Sequence, residues 1–285
     1  IYGASLSAHA RTVTLFTSPH TASRTYTVTV NNVADQTAPT PLTIAANSQI
    51  AFIAPRKRGY LNNAAESSAY TLVYSLDIPN SANYGTGKVG YSTDNSAAVG
   101  PFRRIAYYLE LQKPGEDLQF LWASMDAFTA DAGKIGVPTV LAGALYKQSV
   151  NNMNVTCSVP GVVNGTGITT GNIEFWPSNY GTGNGAGLPG ANGGAFDFDD
   201  SGYSLTAGHG CMQLHNYGAG QTLFGLNNWN GSTLGLGIGN NTDFSKNATP
   251  YPDWTFSANA NLYTVKTLPV LVLQAPAADT TAPAI

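Results

Sequence analysis

Six residues, Asp197-Phe198-Asp199-Asp200-Ser201-Gly202, place oxygen-bearing side chains at positions one, three and five and glycine at six. This is the opening of a loop that wraps calcium in hard oxygen ligands. Asp197, Asp199 and Ser201 are the calcium ligands the pattern offers. Position twelve is Gly208 where the full loop carries a closing Glu, so an acid from elsewhere (Asp94, Asp126 or Asp243) would have to complete the sphere; the alternative is a solvated acidic turn. His209, Cys211 and His215 share strand parity and offer softer ligands. Zinc wants three or four of these, and Cys211 has a competing use. It can pair with Cys157, the only other cysteine, in an oxidising compartment, or both can be free buried thiols.

Two further chemistries rest on residue type. Pyranose rings stack on exposed indoles while amides and carboxylates bond their hydroxyls. Trp229 with Asn228, and Trp254 with Asp253, lie in polar, loop-like surroundings that suit this use; Trp122 and Trp176 sit in apolar strands and read as core. Acid–base catalysis by paired carboxylates would draw on Glu110, Glu174 or Asp126. With 16 acids in 285 residues, each explicable as a turn, edge or strand partner, a catalyst is not expected.

The elements that would carry these groups are strands. Arg11–Thr17 and Thr25–Val30 alternate Thr with apolar residues, the period of a half-buried strand. Asn31-Asn32 turns the chain. Further strands are expected over Tyr70–Leu76, Arg104–Leu111, Leu118–Ser124, Ile173–Trp176, Cys211–His215, Gln221–Leu226 and Leu262–Lys266, and no stretch reads as a long amphipathic helix. Between them lie Gly- and Asn-rich loops, above all 179–194, of the kind that carry binding function on a rigid scaffold.

Composition narrows the function classes. Only 10% of residues are charged, and 31 glycines with abundant Asn, Ser and Thr fit an extracellular β protein. A net charge of -3 supplies no basic field for nucleic acid. No run reaches the roughly 18–20 apolar residues of a membrane span, and no leader opens the chain, which reads as a mature form or a fragment. Five Asn-x-Ser/Thr acceptors, Asn154, Asn164, Asn230, Asn240 and Asn247, fall in turn-like sequence and are candidate glycosylation sites.

Residues 1–55 resemble the second half of a bacterial Ig-like surface domain, through Arg11-Thr-Val-Thr-Leu15, the Ser18-Pro19 turn, Thr25-Tyr-Thr-Val-Thr-Val30 and Val33-Ala-Asp35. Without its early strands such a sandwich leaves an edge and half a core open. The segment Ala278–Ile285 resembles the linker and opening strand of such domains. Either the chain is cut from a tandem array, or the tail of one copy, through Thr281, Ala282, Ala284 and Ile285, completes the next by strand addition. Arg56-Lys57-Arg58 marks the junction, as a solvated linker or a processing site.

Residues 59–273 resemble a module attached to large bacterial proteins of the sialate O-acetylesterase class. The phrases carrying this are Tyr107-Tyr-Leu-Glu-Leu111, Ser124-Met-Asp-Ala-Phe128, Lys134-Ile-Gly-Val-Pro138, Gly171-Asn-Ile-Glu-Phe-Trp-Pro-Ser-Asn-Tyr180, Met212-Gln-Leu-His-Asn216, Gln221-Thr-Leu-Phe224 and Pro252-Asp-Trp-Thr-Phe256. The Gly-Asp-Ser or Gly-Gln-Ser nucleophile turn of such an esterase is missing from this sequence, so the resemblance implies an appended accessory module. The sequence therefore predicts an all-β chain: a partial Ig-like domain over 1–55, a jelly-roll-type β-sandwich over 56–275 and an opening strand over 276–285. The function expected is that of a non-catalytic extracellular or cell-surface structural module, bacterial in type, that contacts neighbouring domains or copies through β-edges. The alternative is a carbohydrate-binding module that targets an attached esterase or other glycan-degrading enzyme to polysaccharide.

Overall fold

Alternation of Thr with apolar residues builds strands early in the chain, over Val13–Phe16 and Thr25–Val30. The computed structural model describes residues 1–8, 12–18, 20, 24–35, 39–54, 56–85, 87–139, 147–176, 210–228, 234–239 and 258–276. They divide into two units, Ile1–Lys57 and Arg58–Ile285. The architecture is all-β, and no helix among the described residues is long and apolar enough to cross a membrane.

The first unit holds two antiparallel ribbons. β1 (Gly3–Leu6) pairs with β2 (Val13–Phe16), and β3 (Thr25–Val30) with β4 (Ser48–Ile53). The turn residues Asn32 and Asn47 take positive φ, which Asn tolerates better than most side chains, and the Asn47 N–H donates to Asn31 Oδ1 at 2.6 Å. Leu6 opposite Val13 and Ala4 opposite Leu15 put one apolar face on the first ribbon. Tyr26 opposite Phe52 and Val28 opposite Ile50 do the same on the second, where His20 packs its ring 4.5 Å from that of Tyr26.

The second unit is a sandwich of two antiparallel sheets. It opens with the one-turn helix α1 (Tyr60–Asn63) and the 3₁₀ turn Ala65–Ala69. Its strands are β5 (Thr71–Asp77), β6 (Thr93–Asp94), β7 (Phe102–Gln112), β8 (Gln119–Asp126), β9 (Lys147–Val150), β10 (Met153–Cys157), β11 (Gly165–Ile168), β12 (Gly171–Trp176), β13 (Cys211–Asn216), β14 (Gln221–Asn228), β15 (Leu234–Ile238), β16 (Ala258–Asn259) and β17 (Val265–Gln274). One sheet runs β11-β10-β8-β7-β17-β5-β6, and the other β16-β15-β14-β13-β12-β9. Ile105, Tyr107, Leu109 and Leu111 from the first face Ile173, Phe175, Met212, Leu214 and Phe224 from the second in one core, and the Tyr107 and Phe224 rings lie 5.8 Å apart.

The strand expected over Leu262–Lys266 is instead a 3₁₀ turn, Ala260–Leu262, leading into the ten-residue β17. β17 lies between β7 and β5 although Pro269, which has no N–H to give to a ladder, sits inside it. The register with β5 slips immediately afterwards, between Val270 and Leu271, and such irregularities are where a strand accommodates proline.

A second apolar layer covers the outer face of the seven-stranded sheet. Tyr60, Ala64, Tyr70 and Leu72 pack over Ala106, Tyr108, Phe120, Trp122 and Leu271. Trp122 is thus fully buried, as a core residue should be, but beneath the 60–70 segment and outside the space between the sheets. Two carboxylates fasten that cover. Glu110 accepts from Arg58 Nε at 2.9 Å, from the Gly59 N–H at 2.6 Å and from the Tyr108 hydroxyl at 2.7 Å. Glu66 Oε1 accepts from Trp122 Nε1 and Ser124 Oγ, both at 2.6 Å, and its Oε2 from Asn154 Nδ2 at 3.0 Å. Burial alone pushes the Glu66 carboxyl up. The hydrogen bonds from Ser124, Trp122 and Asn154, with the nearby Arg104 charge, outweigh this and hold it below the ordinary carboxylate value.

Candidate functional site

The three carboxylates considered for catalysis stand apart. Glu110 projects from the outer face of the seven-stranded sheet and Glu174 from the outer face of the six-stranded one, with the core between them. Asp126 shares the Glu110 face but opposes Arg104, whereas Glu110 opposes Phe120. Six residues along a strand is roughly 20 Å, beyond the roughly 5–9.5 Å of a glycosidase pair. Asp126 is instead a surface anchor that accepts from Arg104 Nη1 at 2.9 Å and Asn152 Nδ2 at 3.1 Å.

Neither cysteine is in a disulfide, and both are buried. Cys157 lies on β10 and Cys211 on β13, strands of different sheets. The Val159 N–H donates to Cys157 Sγ at 3.3 Å, and Cys211 Sγ donates to Asn227 Oδ1 at 3.2 Å. Each thiol is held within its own sheet, so the disulfide open to the sequence is not formed here. Cys211 and His215, four residues apart on one strand, are roughly 13 Å apart along it and cannot share an ion. Among the described residues no three His, Cys, Asp or Glu side chains gather as a metal site.

Two of the five glycosylation acceptors are described, and both amides are engaged. Asn154 Nδ2 donates to Glu66 while its Oδ1 accepts the Gly167 N–H at 3.0 Å. Asn164 Oδ1 accepts the Cys157 N–H at 2.7 Å and its Nδ2 donates to the Cys157 carbonyl at 3.3 Å. A glycan on either nitrogen would compete with these bonds. Asn230, Asn240 and Asn247, the calcium residues Asp197, Asp199 and Ser201 with Asp243, the glycan residues Trp229, Asp253 and Trp254, the ligand candidate His209 and the assembly residues Thr281, Ala282, Ala284 and Ile285 lie outside the described residues. Asn228 is the last residue of β14.

Two features that sequence reasoning missed or only touched are well defined. The first is the outer face of the six-stranded sheet. Asn172 and Glu174 on β12, Cys211, Gln213 and His215 on β13, and Thr222 and Asn227 on β14 point away from the core, and all are buried. Asn172 opposes His215, which opposes Thr222; Glu174 opposes Gln213, which opposes Gly225, which opposes Gly237. The His215 Nδ1 and Asn172 Oδ1 atoms are 2.6 Å apart. Burial pushes the His215 imidazole down to about 3, so it is neutral near pH 7. Gln213 Nε2 and Asn227 Nδ2 have no hydrogen-bond partner among the described residues. Strand by strand this is ordinary polar–apolar alternation, which reads as a solvated face, and the sequence holds no signal that the face is covered.

The second is the apolar surface of the first unit. Of the fourteen large hydrophobic side chains that are exposed among the described residues, eleven fall between Ile1 and Phe52. Leu6 is 58% exposed, Val13 54% and Ile50 67%, and these belong to the apolar faces of the two ribbons. A two-stranded ribbon is at best marginally stable alone, and its outer edges present unpaired backbone groups. No family model, no curated protein and no solved structure matches this chain.

Proposed function

We propose that this chain is a non-catalytic structural or adhesive β module of a bacterial-type extracellular or cell-surface protein, in which a partial Ig-like domain is joined to a jelly-roll-type sandwich. The observation that carries the reading is the one-sided apolar face left open on each ribbon of the first unit. Neighbouring domains or copies of the chain would cover these faces and pair with the ribbon edges by strand addition. Each Val, Leu, Ile or Phe so covered contributes up to roughly 1.5–3 kcal/mol. Leu6, Val13, Leu15, Ile50 and Phe52 together reach the same order as the entropic cost of association, roughly 4–15 kcal/mol. The low charge of the chain supports the reading, since few like charges oppose close approach of copies.

Sedimentation velocity and negative-stain electron microscopy across a wide range of concentration test it. The intact chain is expected to form ordered oligomers or fibres, and Leu15→Lys with Ile50→Lys, which puts a charge on each open face, to shift the population to monomer. A wild-type chain that stays monomeric at every concentration and with its flanking domains attached would overturn the reading. A carbohydrate-binding module attached to an esterase or other glycan-degrading enzyme is the second reading. It is favoured by the tyrosine-walled cavity that Lys88, Asp94 and Asp131 line at the β6 edge of the seven-stranded sheet.

A further inference from the structure

At the β6 edge of the seven-stranded sheet the second unit carries a cavity of about 530 Å³, within the range of small-molecule sites. Its aromatic wall is a pair of tyrosines, Tyr74 on β5 and Tyr91 just before β6, stacked with ring centroids 4.4 Å apart and planes inclined by 25°. Gly136 admits them: a Cβ there would fall 2.4 Å from Tyr91 Oη and 3.2 Å from the Tyr74 ring. Both hydroxyls are fixed, Tyr74 donating to the Ala132 carbonyl at 3.0 Å and Tyr91 accepting the Val137 N–H at 2.8 Å, which leaves the Tyr91 proton to donate.

Three charged side chains line the same space: Lys88, Asp94 and Asp131. Asp94 Oδ1 accepts both the Ser96 N–H and the Ser96 hydroxyl, leaving Oδ2 open among the described residues. Asp131 Oδ1 accepts the Gly133 N–H at 2.9 Å, while among the described residues its Oδ2 has only Lys134 at 3.9 Å, a loose contact between exposed groups. Lys88 makes no ion pair among the described residues. In a chain with so little charge, two carboxylates and an ammonium have converged on one tyrosine-walled cavity without neutralising one another.

The mixture of signs selects the ligand class. A cation meets Lys88, and an anion meets two carboxylates. A neutral polyol meets acceptors in Asp94 and Asp131, donors in Lys88 and Tyr91, and an aromatic wall for the C–H face of a pyranose ring. We propose that this cavity binds a neutral sugar unit of a glycan, with Asp94, Asp131 and Lys88 taking its hydroxyls and the half-buried Tyr91 ring, backed by the buried Tyr74, its apolar face. Assembly through residues 1–57 is read by a different assay, so either proposal can fail without the other.

The test is binding of the intact chain to immobilised serum-albumin conjugates carrying α-mannose, β-glucose, β-galactose or β-N-acetylglucosamine, with an α-sialic acid conjugate as the anionic comparison. At least one neutral conjugate should be captured and displaced by its free methyl glycoside. Lys88→Ala with Asp131→Ala, both at exposed positions, should weaken capture at least tenfold with the melting temperature unchanged. If the double variant melts lower, Lys88→Ala alone, which removes no ion pair, must still weaken capture severalfold. No neutral conjugate captured, capture of the sialic acid conjugate alone, or undiminished capture by the variants would overturn the assignment.

Discussion

At the scale of single residues the chain places its titratable groups in opposite roles. Glu66 is ionised and hydrogen-bonded, with a carboxyl held below its ordinary value, so its contribution is present above about pH 4.5 and is lost as pH falls through its folded value. His215 is neutral and buried, pushed from 6.5 to about 3. The folded chain therefore takes up no proton there while the unfolded chain does, and stability present above about pH 6.5 is lost as pH falls toward 3. The two windows separate between about pH 7.5 and pH 5, where Glu66 stays charged and only histidine titration acts. Over that interval His215 alone should remove about 2 kcal/mol, from about 1.4 kcal/mol per pH unit below 6.5. Urea unfolding of wild type and His215→Gln at both pH values checks this, since the other three histidines are common to both chains. Equal pH dependence in the two proteins would mean that His215 is protonated in the fold. Gln213 and Asn227, on the same face as His215, show why this site was hidden in the sequence. A Gln or Asn alternating with Leu and Met reads as solvated, and its burial depends on what covers the face, which no local pattern records.

At the scale of elements, what could be read in advance was governed by alternation. β3 coincides with its expected span, Thr25–Val30, and β7, β8, β12 and β13 lie within two residues of theirs, because each carries an uninterrupted period of two or a continuous apolar run. β15 escaped because Gly235 and Gly237 occupy every second place in Leu-Gly-Leu-Gly-Ile, and glycine argues against a strand. β17 escaped because Pro269 divides it. The polar–apolar register of an element is also pinned from outside it. Gly210, just before β13, has φ +60°, and a Cβ there would lie 2.1 Å from Tyr84 Cβ and 3.0 Å from the Tyr84 backbone. Neither obstacle is the far end of a flexible side chain, so Gly210→Ala combines left-handed strain with overpacking and should cost roughly 2–4 kcal/mol. Guanidinium unfolding should show a lower midpoint with an unchanged slope. A loss under about 0.5 kcal/mol, the size of an ordinary surface substitution, would refute the close approach of 210 to Tyr84.

At the scale of the whole molecule the two units differ in how far each has buried its own apolar surface. The second closes two sheets over one core and covers the outside of the larger sheet with the 60–70 segment. The first leaves Leu6, Val13, Ile50 and their neighbours in solvent on ribbons that, among the described residues, are each a two-stranded sheet. Buried apolar area is what offsets chain entropy, so the units should not share one unfolding transition. Differential scanning calorimetry of the dilute chain should show a small, low-temperature transition from residues 1–57 ahead of a large one from the sandwich. A partner that binds only the folded ribbons stabilises them by mass action. The first transition should therefore climb with protein concentration and the second stay fixed. Leu15→Lys with Ile50→Lys should abolish that climb, because the variant no longer buries the faces whose covering supplies the linkage. A single concentration-independent transition would mean that the first unit completes its core within one chain, and its apolar faces would then need another explanation than a neighbour.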